Sequence, residues 1–230
     1  MRVLLMDRSS SEPGLLVWEG ETVLCRLLWN GLPMLAPAWM EEIRSALETA
    51  SVAVESIDRF VCGLGPGSFS GIRACLSALN GMALPGAKPV LGIASAAAIA
   101  ATVSRDGLVS VVGDARRNRL WVVTYRMDGN RVTLADGTAP SQTADDFQLV
   151  EPERLSEAVP DQARLVSPDW ERISACVESA FPQERLVRRP VLPDIDRMAE
   201  IVRENLADCR IEPLPIYLHP AVAAVRKEPE

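Results

Sequence analysis

A chain of 230 residues with 48% hydrophobic and 24% charged side chains can bury a sizeable core, as one large domain or two small lobes, and is not disordered. A formal net charge of −7 argues against an autonomous nucleic-acid binder, which needs a positive field to neutralise phosphates. Five cysteines without a C-x-x-C pair, no secretory pattern at the start, and a longest apolar stretch (ASAAAIAATV) too short for a bilayer lead to the expectation of a cytoplasmic protein with reduced thiols and no membrane contact.

The first apolar run, RVLLMD, reads as a buried strand ending in Asp7. LLVWEGETVLCRLLW reads as a hairpin hinged on Glu19, Gly20 and Glu21. In LAPAWMEEIRSALETA, Leu35, Trp39, Ile43, Leu47 and Ala50 recur at helical spacing, with charges elsewhere on the wheel. RFVCGL then reads as a strand, SGIRACLSALNGMAL as a helix, KPVLGI as a strand and ASAAAIAATV as a helix. A second start follows. GLVSVVGD is again a strand ending in aspartate, Asp114, and NRLWVVTYRM with NRVTLA makes a hairpin across Asp128, Gly129 and Asn130. The remainder is proline-rich and less regular, with helices expected at DWERISACVESAF and DIDRMAEIVRENLA, then a tail. Two lobes that both open strand, aspartate, hairpin predict an α/β chain with a duplicated ribonuclease-H-like unit, the plan of actin-like ATPases and sugar kinases. The expected division is 1–104 and 105–230, with the second lobe eroded.

Hydrolase chemistry fails on residue supply. The one histidine, His219, lies in the tail and reads as an exposed residue, so no H-E-x-x-H zinc site can be assembled, and a Ser-His-Asp triad would have to recruit that one residue. No G-x-S-x-G elbow exists, because Phe69 stands midway between Gly67 and Gly71. The glycine turn also lacks the lysine of a phosphate loop and the spacing of a dinucleotide fingerprint. Its helix could still attract an anion, but the structural reading is a tight strand-to-helix turn, with Ser68 and Ser70 as turn and capping residues. Asp7 and Asp114 stand where actin-like ATPases hold metal and water. Bulky Arg8 beside Asp7, and no acid to assist Asp114 among Arg116, Arg117 and Arg119, favour structural roles for both.

The helix after the turn is the most informative segment. Ile72, Cys75, Leu76, Leu79 and Ala83 make one apolar stripe, while Ala74, Ala78 and Gly81 make a second face of small residues. A helix apolar nearly all round is buried on more than one side. Either it is a central core helix, or it joins the preceding helix in a pairing face built from Trp39, Met40, Ile43 and Leu47 together with Ala74, Ala78 and Gly81.

At these residues the chain resembles the bacterial tRNA threonylcarbamoyladenosine biosynthesis protein TsaB family, also called YeaZ. GLGPGSFSGIR is similar to that family's G-x-G-P-G-S-F-T-G-[LIV]-R loop, with Ser70 for the usual threonine. MRVLLMD, VVGDARRNRLWVVTY and PIYLHPAVAAVRK resemble its opening strand, second-lobe opening and tail. The pattern departs at Arg8, where the family has threonine, before the first helix, where NGLPMLAPAW carries no histidine, at Arg119 and Trp121, and at His219, which replaces an arginine. The resemblance implies a non-catalytic subunit of a tRNA-modifying complex, with an actin-like fold and no cofactor or metal of its own. It would pair with and activate TsaD through first-lobe helices, with the ATPase TsaE docking on the pair, and would form a homodimer when alone. It would reach tRNA only through the complex. A nucleotide held at the subunit junction is the ligand that Gly65, Pro66, Gly67, Ser68, Phe69, Ser70, Gly71 and Arg73 could touch. The rival reading is an actin-like phosphotransferase using Asp7 and Asp114 with magnesium; the histidine count disfavours a peptidase.

Overall fold

The computed structural model describes residues 1–29 and 36–219. Leu35, most of the segment before the first helix, and the tail beyond His219 lie outside the described residues.

The first sheet grows from β1 (Arg2–Asp7), which pairs antiparallel with β2 (Gly14–Glu19); β2 pairs in turn with β3 (Thr22–Leu28). On its other side β1 runs parallel to β4 (Arg59–Gly63), and β4 to β5 (Val90–Ile93). The order is β3-β2-β1-β4-β5. Val3 to Asp7 are all buried, as expected of a central strand covered on both faces. Three helices belong to this lobe: α1 (Ala36–Thr49), α2 (Phe69–Ala83) and α3 (Ser95–Val103). Every element expected in this half is present.

The second sheet repeats the plan. Strands β6 (Asp106–Arg116), β7 (Arg119–Asp128) and β8 (Arg131–Leu134) form the antiparallel part. Parallel strands β10 (Arg164–Ser167) and β11 (Leu186–Pro190) extend it, giving β8-β7-β6-β10-β11. The same order in both sheets is the duplication read from the sequence, carried through to the hydrogen-bonded ladders. The proline-rich region hid three strands, because β9 (Gln148–Val150), β10 and β11 have only three to five residues each. Erosion falls on the helices instead. Where the first lobe has the 14-residue α1, the second has β9 and the four-residue α4 (Leu155–Ala158). Helices α5 (Trp170–Ala180) and α6 (Ile195–Asn205) complete it. The chain then returns to the first sheet, where β12 (Arg210–Ile211) pairs antiparallel with β5.

The two sheets share one core through an exchange of helices. Helix α3, from the first lobe, packs on β6, β7 and β10; α6, from the second, packs on β1, β2 and β8; and the two helices pack on each other. Ser95 to Ala101 are all buried, and their alanines permit that close approach. Asn205 is the polar pin of the layer. Its amide donates to the Asn130 and Ile201 carbonyls, both at 2.8 Å, and its oxygen accepts from the Val132 N–H at 3.3 Å. Among the described residues no helix is long and apolar enough to cross a membrane.

Gly113 on β6 lies opposite Trp121 on β7, and a Cβ there would sit 2.3 Å from the indole. The indole is buried and edge-on to Phe147 with ring centroids 5.8 Å apart, so it has no free volume to retreat into. Gly113→Ala is therefore expected to cost about 1–3 kcal/mol, the usual price of overpacking. Urea unfolding should show a lower midpoint at unchanged slope, and an unchanged midpoint would refute the crowding.

Candidate functional site

The glycine turn runs from the end of β4 into α2. Gly65 has φ +88°, a conformation that side chains rarely tolerate, and the Gly65–Pro66 peptide is cis. The loop between β1 and β2 lies directly against this turn: a Cβ on Gly67 would be 2.1 Å from the Ser9 carbonyl oxygen, and one on Gly71 would be 2.1 Å from that of Arg8. Three of the turn's N–H donors are taken up within the protein. The Ser68 N–H donates to the Ser9 carbonyl at 2.7 Å, and the Gly65 N–H to Ser95 Oγ at 2.9 Å. Ser68 caps α2 by accepting the Gly71 N–H at 3.2 Å. Ser70 lies in the first helical turn rather than at the cap, because the helix begins at Phe69.

Asp7 is buried beneath this corner. One carboxylate oxygen accepts the Ser9 N–H at 2.9 Å and the Ser9 hydroxyl at 2.8 Å; the other accepts the Ser95 hydroxyl. Asp114, at the equivalent place on β6, faces a different setting. It accepts the Arg116 N–H at 2.8 Å and pairs with the guanidinium groups of Arg116 at 3.2 Å and Arg172 at 3.9 Å. Among the described residues no group of three or more His, Cys, Asp or Glu side chains is placed to hold a metal ion.

A cleft of about 940 Å³ opens between the lobes. Its walls are the turn at residues 66–69, the end of β6, the start of α5, and the C-terminal segment at residues 216–219. His219 is not the exposed tail residue expected from the sequence. It is half-buried, and its Nε2–H donates to the Ala115 carbonyl at 2.6 Å. A β-bulge between Asp114 and Arg116 takes Ala115 out of the ladder and turns that carbonyl toward the cleft. The next three residues, Arg116, Arg117 and Asn118, all have φ near +60° (67°, 54° and 55°) and form the exposed hairpin tip.

The expected pairing face divides. Trp39, Ile43 and Leu47 are at most 2% exposed and pack inward on their own lobe, where the Arg8 guanidinium lies 4.3 Å from the Trp39 ring. They are core residues and offer nothing to a partner. Met40 is half-buried against the same core, and the outer side of α1 carries the ion pairs of Arg44 with Glu41 and Glu48. The α2 residues behave differently. Ile72, Cys75, Leu76, Leu79 and Ala83 are buried, but Ala74 and Ala78 are only half-covered, and a Cβ on Gly81 would meet nothing within 4 Å.

A family model described as TsaD, tRNA N6-adenosine threonylcarbamoyltransferase, matches residues 36–171, more than half of the chain. The chain belongs to the family that this model describes. The tRNA threonylcarbamoyladenosine biosynthesis protein TsaB of Bacillus subtilis is 25% identical over 127 residues, 55% of this chain and 56% of that one. Its Escherichia coli counterpart is 27% identical over 148 residues, 60% of this chain and 61% of that one. The chain thus matches a little over half the length of each of these two curated relatives. Similarity of fold runs further: the solved structure of YeaZ from Pseudomonas aeruginosa superposes with a TM-score of 0.72 at 23% identity, covering 94% of this chain and 99% of that one.

The residues that carry the TsaB-like signature are those of the glycine turn, and the geometry explains Gly67 and Gly71 by the approach of the β1–β2 loop and Gly65 by its positive φ. Asp7, also part of the opening motif, supplies a pH test. Burial holds its carboxyl above the usual range, with hydrogen bonds from Ser95 and Ser9 pulling it partly back. The folded state therefore binds this proton more tightly than the unfolded chain does. Its contribution to stability falls as pH rises from the unfolded value near 3.8 through the raised folded value, then levels off. Asp7→Asn has no such titration. The stability difference between variant and wild type should thus move in favour of the asparagine from pH 3.5 to pH 7. Parallel pH profiles in urea unfolding would show that the Asp7 carboxyl does not titrate in this way.

Proposed function

We propose that this chain is a non-catalytic subunit in tRNA threonylcarbamoyladenosine biosynthesis and that it pairs with TsaD through the outer face of α2. The observation that carries this reading is an uncovered helix face. Ser70, Ala74, Ser77, Ala78 and Gly81 fall within one side of the helical wheel, all small and uncharged; Ser70, Ser77 and Gly81 are exposed, and Ala74 and Ala78 are half-buried at the edge of the core. Leu84, just past the helix, is 79% exposed. Small residues let a partner helix come close, and family membership supplies the partner's class. When alone, two copies would cover the same face with each other, since exposed apolar area is costly in water. TsaE would meet the assembled pair. The residue chemistry supports a non-catalytic role: Asp7 is consumed by internal hydrogen bonds and Asp114 by ion pairs.

Replacing Ala78 with arginine forces a long charged side chain into the contact, and burying it unpaired is expected to weaken pairing about a hundredfold or more. Gly81→Arg is the companion variant, because that position faces open space and helix formation there gains rather than loses. Both proteins should keep the wild-type circular dichroism spectrum, fail to bind TsaD in calorimetry, and fail to support threonylcarbamoyl transfer to tRNA in a reconstituted assay. Binding by both folded variants would remove this face from the interface.

The isolated chain is also expected to show no magnesium-dependent ATP hydrolysis. Turnover that vanishes in Asp7→Ala would instead establish the phosphotransferase reading.

A further inference from the structure

The mouth of the cleft carries a cluster that pairing through α2 does not use. Phe69 is 55% exposed and Tyr217 45%, yet their rings lie 5.2 Å apart, tilted by 37°. Arg73, one helical turn beyond Phe69, holds its guanidinium 5.0 Å from the Phe69 ring centre. Half of each ring therefore stays in water, continued on one side by a flat cationic group. Arg116 and Arg172 line the same cleft, facing Asp114 and Asp169, which leaves the lining with one positive charge in excess. Arg117 and Arg119 stand exposed on the adjoining hairpin tip. On a chain of net charge −7 this is a local reversal of sign.

Paired rings, a guanidinium plane and a surplus of arginines complement a flat base attached to phosphates. We propose that the cluster binds one or two unpaired nucleotides of single-stranded RNA, with a base stacked on Phe69 and Tyr217 and the flanking phosphates met by Arg73, Arg116 and Arg172. Unpaired bases in RNA loops are free to stack on aromatic rings and arginine planes, and such stacking tolerates any sequence. Ser10 and Ser68 line the same cleft, and serine hydroxyls suit a sugar–phosphate backbone. Overall acidity repels a long duplex and confines binding to a few phosphates. The choice of RNA rests on the tRNA-modification reading above, whereas the nucleotide chemistry rests on the cluster alone.

The test is fluorescence anisotropy of a labelled six-nucleotide single-stranded RNA against the full chain, with hairpin duplex RNA and free AMP as competitors. Wild type should bind the single strand in preference to either competitor. Affinity should fall with salt at a log–log slope of about −2, the value for three phosphate contacts. Phe69→Ala and Tyr217→Ala should each weaken binding about tenfold, and Arg73→Gln should flatten the salt slope by about 0.7. Calorimetry with TsaD, run on the same variants, separates this site from the pairing face: Ala78→Arg should lose TsaD and keep RNA, while Phe69→Ala should do the reverse. Absence of RNA binding by wild type, equal binding of duplex, or unchanged RNA affinity in Phe69→Ala would overturn the proposal. Competition by AMP as strong as by the oligonucleotide would make the site a mononucleotide pocket and overturn its assignment to RNA. Loss of TsaD binding in Phe69→Ala with RNA affinity intact would assign the platform to the protein interface.

Discussion

Each inner helix of this molecule rests on the sheet of the other lobe, and that exchange fixes the rest. For α3 to lie on β6, β7 and β10 while also packing on α6, its side chains must be small nearly all round; the sequence SAAAIAATV meets that demand. Alanine adds little hydrophobic area per residue, so the layer depends on close approach rather than bulk. The N-terminus of α3 is then anchored by groups from far along the chain. The Ala94 N–H donates to the buried Gln142 side chain at 2.7 Å, the Ser95 N–H to the Gly65 carbonyl at 2.8 Å, and the Ser95 hydroxyl to Asp7. One helix end thereby holds the glycine turn, and the turn sets the direction in which α2 leaves the sheet.

Asp7 and Asp114 show how duplication can keep a residue and change its duty. Asp7 ends the central strand of the first lobe, and Asp114 lies two residues short of the end of the second lobe's central strand. The first has lost its solvent and gained three donors, which organise the β1–β2 loop above the turn. Such a carboxylate is costly to bury and costly to leave unsatisfied, and the donors around it are what make its burial tolerable. The second stays at the cleft wall, paired with Arg116 and Arg172. The symmetry of the sheets thus survives while the chemistry at their ends has diverged.

Much of the fold was readable because its signals are local. The hairpins announce themselves through Gly20 and Gly129, and the glycine turn is a contiguous motif whose small residues answer to neighbouring backbone. Helix α1 shows the limit of periodicity. The stripe Trp39, Ile43, Leu47 correctly gives a helix with an apolar side, but spacing alone does not say whether that side faces its own sheet or another protein. On α2 one stripe is buried in the core, while Ser77 and Gly81 on the other side stay exposed. Strands β10 and β11 were lost among prolines, being too short for an alternation to be counted. The contacts that shape the cleft, Phe69 with Tyr217 and Ala115 with His219, join residues far apart in sequence and leave no periodic trace.

The return of the chain to β5 has a consequence for how the protein is made. Strand β12 covers the β5 edge of the first sheet with residues translated after the whole of the second lobe. While the ribosome is still building that lobe, the β5 edge has its other four strands in place and an unpaired row of N–H and C=O groups facing outward. An edge of that kind is a template for foreign strands. The nascent chain is therefore exposed to mispairing for as long as the second lobe takes to emerge, until Arg210 and Ile211 arrive to pair with β5.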